Sequence, residues 1–484
     1  MKRVLDLLNQ AAGSTTTTLI SRSAYDTAWL ARMDNDLGRK SHRWLLDHQL
    51  PDGSWGTAQV VYHHERMICT LAATLALVEA GEPASSVRIR RARHAIGRAC
   101  AGLETDPAGA TIGFELIVPV LLRQAAEYGI GCGDAALLDR LLAFRQAKLA
   151  ALPAGVIDRH TTVSFSAEMV DGNHHLLNVD ELQSENGSIS YSPAATAFFA
   201  AAVRPGDPAA MGYLRRMADA DGAVPYVGPI EVFDQAWTLW NLALTGNMDA
   251  ELAAACRPLL DRLAAQWQPG RGISSAVGLE LLDGDDTAVA AAALARFGRA
   301  PDLDAILRYE KPYHFTCYPL EADPSVSANI HVLDALRQAG LPATHPTVQK
   351  IIRFLRATAR HGMFWLDKWH ASPYYPTAHA IIAAAGYVDR LVSDAIRWIL
   401  QTQGADGSWG YYLPTAEETA YCLQALVTWQ RAGHGVPQEI LHRGAAWLAA
   451  HTAPPYPPLW IGKCLYCPQI PVQSAVLSAL RMAE

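Results

Sequence analysis

Charge is sparse in this chain of 484 residues: only 18% are Asp, Glu, Lys or Arg, and the net charge is -7. The basic residues form no stripe or block, which argues against nucleic acid as a partner. Long uninterrupted apolar runs are missing as well. The opening MKRVLDLLNQAAGSTTTT begins with charge, but its short apolar run is broken by Asp6 and Asn9, so it suits neither a secretory signal nor a spanning helix. No stable membrane insertion is expected, and a cytoplasmic location is. The 8 cysteines are too dispersed for a disulfide framework. Cys464 and Cys467 make one C-x-x-C without a second pair, which favours packing thiols over a zinc site. Alternating strand patterns are close to absent.

What is present is apolar and repetitive. At 50% hydrophobic, the chain can bury a large core, and its length implies two or three domains. Gln49-Leu-Pro-Asp52-Gly53-Ser54-Trp55-Gly56 recurs as Gln403-Gly-Ala-Asp406-Gly407-Ser408-Trp409-Gly410, with weaker copies at QSENGSIS from Gln183, ADGAVPY from Ala220 and HGMFW from His361. Each copy precedes a run of small apolar residues, such as TLAATLALVEAG or ETAYCLQALVTW. Asp-Gly and Asn-Gly pairs supply the positive φ of tight turns, and small residues allow close helix packing. Helices that are apolar nearly all round need cover on both faces. An all-α fold of closed double-layered helix rings, the α/α barrel, meets that need; a solenoid would bury the same helices without a central cavity.

Between the apolar GLELL and AVAAAALARFG lies Asp283-Gly284-Asp285-Asp286-Thr287. Carboxyl groups crowded against buried surface cannot all ionise, because neighbouring charge and desolvation both raise their pKa values. One should keep its proton at neutral pH and act as an acid toward a weakly basic apolar substrate such as an alkene. The spacing of Asp283 and Asp286 also suits an N-cap with the third residue of a helix from Thr287, or a divalent-ion loop.

These segments resemble the terpene cyclases. Q-x-x-D-G-S-W-G matches their turn motif and D-x-D-D-T their protonating motif, and SAYDTAW (Ser23 to Trp29) looks like the opening helix of the class II diterpene cyclases. HERMICTLA, GFELIVPVLL, NGSISYSPAATA and VPYVGPIEVFDQAW follow in the same order as in copalyl and related diphosphate synthases. DKWHASPYY, AEETAYC and PPLWIGKCLYC look most like the bacterial branch that makes halimane or clerodane diphosphates. The resemblance implies two α/α barrels with the active site between them: a β domain of residues 1–38 and 246–484, and an inserted γ domain of residues 39–245. No D-D-x-x-D cluster of class I synthases occurs, so the diphosphate should survive.

On the same resemblance, Asp285 is the general acid toward the terminal double bond of geranylgeranyl diphosphate, Asp283 and Asp286 hold its geometry, and Asn329 positions its proton. Local pattern alone equally makes Asn329 a polar residue starting a helix. Trp365, Trp369, Tyr374, Trp460 and Tyr466 are candidates to stabilise the cations through their ring faces. The diphosphate end calls for Mg2+, with Glu115 as the magnesium-linked carboxylate, Lys148 as a diphosphate-binding lysine, and Lys463 and Arg66 as further candidates.

Phe165 and Tyr226 stand where the plant copalyl branch has a His and Asn base pair. Since Phe165 cannot take a proton, a rearranged kolavenyl, terpentedienyl or halimadienyl diphosphate is expected, with His370, His379 and Tyr466 as alternative bases. Unrearranged copalyl diphosphate, a squalene-hopene type triterpene cyclase, a carbohydrate-processing barrel and a noncatalytic barrel subunit are the rival readings. A downstream class I terpene synthase or another diphosphate-processing enzyme is the implied partner, and a homodimer is one admissible assembly.

Overall fold

The computed structural model describes residues 2–13, 20–246, 250–300, 302–319, 321 and 323–484. The chain opens with α1 (Lys2–Gly13) and continues through α2 (Ala24–Ala31), α3 (Asp36–Asp47), α4 (His63–Glu79), α5 (Val87–Gly102), α6 (Phe114–Ala126), α7 (Ala135–Ala150), α8 (Pro193–Phe198) and α9 (Pro208–Met217). Then come α10 (Glu231–Ala243), α11 (Ala250–Gln266), α12 (Gly284–Arg296), α13 (Leu303–Leu307), α14 (Val326–Gln338) and α15 (Pro346–Thr358). The last are α16 (Tyr374–Ala384), α17 (Ser393–Gln401), α18 (Ala416–Arg431), α19 (Gln438–Ala450) and α20 (Gln469–Ala483). Among the described residues the strands are two short antiparallel pairs, β1 (Arg22–Ser23) with β2 (Val224–Pro225) and β3 (Trp460–Ile461) with β4 (Leu465–Tyr466).

Two rings of paired helices result. In one, α10, α12, α14, α16, α18 and α20 each pack on the next, α20 returns to α10, and α1, α11, α13, α15, α17 and α19 lie outside them. In the other, α2, α4, α6, the 3-10 segment Thr162–Val170 and α8 close on themselves, with α3, α5, α7 and α9 outside. The inner helices are apolar on every side because every side is covered: α16 is buried along its whole length and α4 from His64 to Val78.

The packing divides the chain between α1 and α2, and again between α9 and α10. This corrects the expected boundaries at 38/39 and 245/246. α2, expected with the first unit, packs on α3, α4 and α8 in the other ring, whereas α10 packs on α12 and α20. Both are buried on nearly all sides, and such a pattern says a helix is inside a ring without saying which ring.

The repeated turns share one construction. Trp55, Trp365 and Trp409 each donate Nε1–H to the carbonyl ten residues earlier, on Leu45, Leu355 and Ile399, at 2.8–2.9 Å. Their backbone N–H groups donate to Thr70, Thr377 and Thr419 on the following inner helix. Each Trp thus ties the end of an outer helix to the next inner one.

The β3–β4 hairpin bridges the rings. Trp460 covers the N-terminal ends of α10, α16 and α18 by touching Phe233, Tyr375 and Glu417. At the tip, Gly462 accepts from Ile112 N of the other ring, and a Cβ there would lie 2.2 Å from the Tyr226 ring. No described helix is long and apolar enough to cross a membrane.

Candidate active site

The acidic motif opens inner helix α12. Asp283 is its N-cap, in extended backbone, and accepts from the Asp286 N–H at 2.7 Å. Gly284 follows because a Cβ there would lie 2.4 Å from the Thr316 carbonyl. Capping and acid crowding are therefore the same geometry. Burial pushes Asp283 up to about 7 and Asp286 well above the ordinary carboxyl range, the neighbouring Asp283 charge adding to the latter. Asp286 Oδ1 is buried without a partner. The firmly held proton thus belongs to the Asp283–Asp286 pair.

Asp285 has different surroundings. It keeps 16% of its side chain exposed, and its Oδ1 lies 2.5 Å from His331 Nδ1. Its Oδ2 has no hydrogen bond among the described residues, so this oxygen is free to face a substrate. The first turn of α12 also presents its positive dipole end to Asp285, which favours the carboxylate left by proton loss.

Asn329 makes different contacts from those expected. Its Oδ1 accepts from Phe315 N, and its Nδ2 donates to the carbonyls of Phe315 and Ser325. It braces the segment that runs beside Gly284, and His331, on the same helix, meets Asp285. His331 Nε2 in turn lies 2.8 Å from Nδ1 of His379 on α16. Burial pushes His379 well below the ordinary histidine value.

An aromatic cage spreads from this dyad. Trp237 stands edge-on to His331 at 5.7 Å, and Phe233, Tyr375 and Trp460 join Trp237 in a continuous set of ring contacts. Trp460 continues into Tyr466, Tyr466 into Tyr226 at 4.3 Å, and Tyr226 into Phe165 at 5.7 Å. Of the expected cation ligands, Trp460 and Tyr466 lie in the cage. Trp365 does not, since it is one of the three turn tryptophans, and Tyr374 packs on Trp398 between inner and outer helices. Trp369 lies outside these ring contacts, under the ammonium of Lys368.

The cationic candidates separate in the same way. Lys148 pairs with Glu115 at 2.8 Å, and both stay part exposed, 41% and 28%. Arg66 is buried and spends its guanidinium on Ser54 and the carbonyls of Thr57 and Val60. Lys463 is fully buried, donating to Glu168 and Ser192 of the other ring, so it locks the two rings together and is not open to a diphosphate. No group of three or more potential metal ligands gathers among the described residues.

His370 and His379 are both engaged. His370 Nδ1 accepts from Ser372 N, and its Nε2 faces Glu417 Oε1 at 3.3 Å, an oxygen that also accepts from Trp460 and Tyr421. His331, Trp237, Phe233, Tyr375 and Glu417 were not picked out from sequence. One signal for His331 was available: residues two apart on a helix point about 200° apart, so Asn329 and His331 cannot both face the acid.

Known proteins resemble this chain over nearly its whole length. Residues 318–454 match the squalene-hopene cyclase C-terminal domain. The chain is 43% identical to the type B diterpene cyclase of Mycobacterium tuberculosis, over 96% of both proteins. It is 32% identical to a copalyl diphosphate synthase of Streptomyces cyslabdanicus, over 96% of this chain and 92% of that one. Among solved structures, an ent-copalyl diphosphate synthase from Streptomyces platensis superposes with a TM-score of 0.79 at 31% identity, covering 100% of this chain and 99% of that one.

Proposed function

Since the chain belongs to the class II diterpene cyclases, we propose that it protonates the terminal double bond of geranylgeranyl diphosphate and releases a bicyclic diterpenyl diphosphate. The observation that carries this reading is Asp285, held by His331 through one oxygen while the other has no hydrogen bond among the described residues and the side chain keeps 16% exposure. The O–H bond at Oδ2 breaks, its proton forms a C–H bond at the alkene terminus, and the alkene's electron pair leaves a tertiary cation. The next double bonds capture that cation in two ring closures. Asp285 remains as a carboxylate, stabilised by His331 and by the helix terminus.

The cage of Trp237, Phe233, Tyr375 and Trp460 offers ring faces to the cations. The diphosphate is retained in this reading and lies toward the part-exposed Glu115 and Lys148. Magnesium, when bound, supplies charge neutralisation there: Glu115 would offer one carboxylate, with phosphate oxygens and water supplying the rest. A class I terpene synthase or another diphosphate-processing enzyme would consume the product.

The product we propose is rearranged, of the kolavenyl, terpentedienyl or halimadienyl type. Phe165 beside Tyr226 provides no strong base near the bicyclic cation, so hydride and methyl shifts can precede deprotonation. Among the bases considered, His370 meets Glu417 and His379 meets His331, and we take Tyr466, packed on Tyr226, as the base.

The test is incubation with geranylgeranyl diphosphate and magnesium, phosphatase treatment and gas chromatography with mass spectrometry, beside Asp285→Asn. A bicyclic alcohol from the wild type alone is expected. Geranylgeraniol from both samples would overturn the cyclase reading, and copalol as sole product would overturn only the rearrangement.

A further inference from the structure

We infer that His379 is a positioning residue for the acid: it donates a hydrogen bond to Nε2 of His331, holds His331 as the Nδ1–H tautomer, and so keeps the carboxyl proton of Asp285 on Oδ2. The inference rests on the reading of Asp285 as the acid and adds what decides which of its oxygens carries the proton.

Three groups stand in line. Asp285 Oδ1 meets His331 Nδ1 at 2.5 Å, and His331 Nε2 meets His379 Nδ1 at 2.8 Å. The line ends there, because His379 Nε2 is buried with no hydrogen-bond partner. Around it stand the rings of Tyr375 at 4.3 Å, Trp240 at 4.7 Å and Tyr421 at 5.1 Å.

Only one proton fits between the two imidazoles, and the dead end at Nε2 decides whose it is. Burial keeps His379 neutral, so it has a single N–H. If that N–H were at Nε2, a buried donor would have no acceptor, which is rarer and costlier than an under-used lone pair. The proton therefore sits on Nδ1 and is donated to His331 Nε2. His331, accepting at Nε2, carries its own proton on Nδ1 and donates it to Asp285 Oδ1. A protonated Asp285 must then hold its proton on Oδ2, the oxygen without a hydrogen bond among the described residues.

The opposite tautomer would misdirect the acid. With Nδ1 of His331 bare, Asp285 would donate its proton from Oδ1 to His331, away from the alkene. His379 thus controls the direction of proton delivery without touching substrate.

The test compares wild type, Asp285→Asn, His379→Leu and His379→Asn in steady-state turnover of geranylgeranyl diphosphate. A nitrogen-15 spectrum of histidine-labelled wild type, assigned with His331→Gln, reads the tautomer of His331 directly. Asn offers an amide N–H close to where Nδ1 of His379 lies; Leu offers none. The expected result is a fall in kcat of about 100-fold or more in His379→Leu, with KM within about twofold, and recovery of most of that loss in His379→Asn. The spectrum should show His331 protonated at Nδ1. A His331 protonated at Nε2 in the wild type, or a folded His379→Leu with wild-type kcat, would overturn the inference even if Asp285→Asn is inactive. Cyclisation by Asp285→Asn would overturn the acid reading instead, whatever His379 does. If His379→Leu does not fold, the wild-type spectrum still decides.

Discussion

Asn329 and His331 sit two positions apart on α14, and the structure gives them separate tasks. Asn329 satisfies both backbone groups of Phe315 and the Ser325 carbonyl, so its side chain secures the segment beside Gly284. His331 reaches Asp285 itself. We expect Asn329→Ala to lose about 1–3 kcal/mol of stability, as buried backbone groups lose their partners. His331→Ala should reduce kcat further than Asn329→Ala does, compared at equal folded fraction. Urea denaturation and steady-state cyclisation measured on both variants check the order; a larger kcat loss in Asn329→Ala would return the positioning role to Asn329.

Among the elements, the first turns of inner helices α12 and α18 hold clustered carboxyl groups. α12 begins with Asp283 as cap and the proposed acid Asp285 in its first turn, and α18 begins with Thr415, which accepts from the Glu418 N–H and donates its hydroxyl to the Glu418 carboxylate. Glu418 also accepts from Ser372 and the Tyr411 N–H, yet burial pushes its carboxyl from 4.5 up to about 7. In the unfolded chain it releases its proton near 4.5, so the folded state binds the extra proton in between. The stability this group contributes is full below about 4.5 and is lost as pH rises through about 7. Glu418→Gln should therefore show a smaller drop in urea midpoint between about pH 5 and about pH 7.5 than the wild type. An equal drop in both would place the pH dependence elsewhere. The turn tryptophans act at this scale too: HGMFW is a weak copy of the repeat, and its Trp365 makes the same bond as Trp55 and Trp409, which seats it in a turn outside the aromatic cage.

For the whole molecule, the buried Lys463–Glu168 pair spans 295 positions in sequence and joins the bridging hairpin of one ring to the 3-10 segment of the other. Tyr25 adds a hydrogen bond to the same carboxylate oxygen. Lys463→Met should destabilise the protein by about 3–5 kcal/mol, since it strands a buried charge, and pairing it with Glu168→Leu should recover part of that loss. Urea denaturation of the single and double variants measures both; additive losses would show that the two side chains do not act as a pair. The repeats, the acid motif and its apolar flanks were local enough for sequence to determine them: turn chemistry, capping and small-residue helices depend on neighbours a few positions away. Hence the helical rings and the acidic first turn of α12 could be approached from residues alone, whereas the Trp460–Tyr466 and Phe165–Tyr226 contacts could not. Which ring α2 and α10 join, that His331 and not Asn329 meets Asp285, and that Lys463 is buried in an ion pair were decided only by tertiary structure. Each depends on groups brought together from different helices, where rotation about a helix axis and a partner distant in sequence determine what a side chain touches.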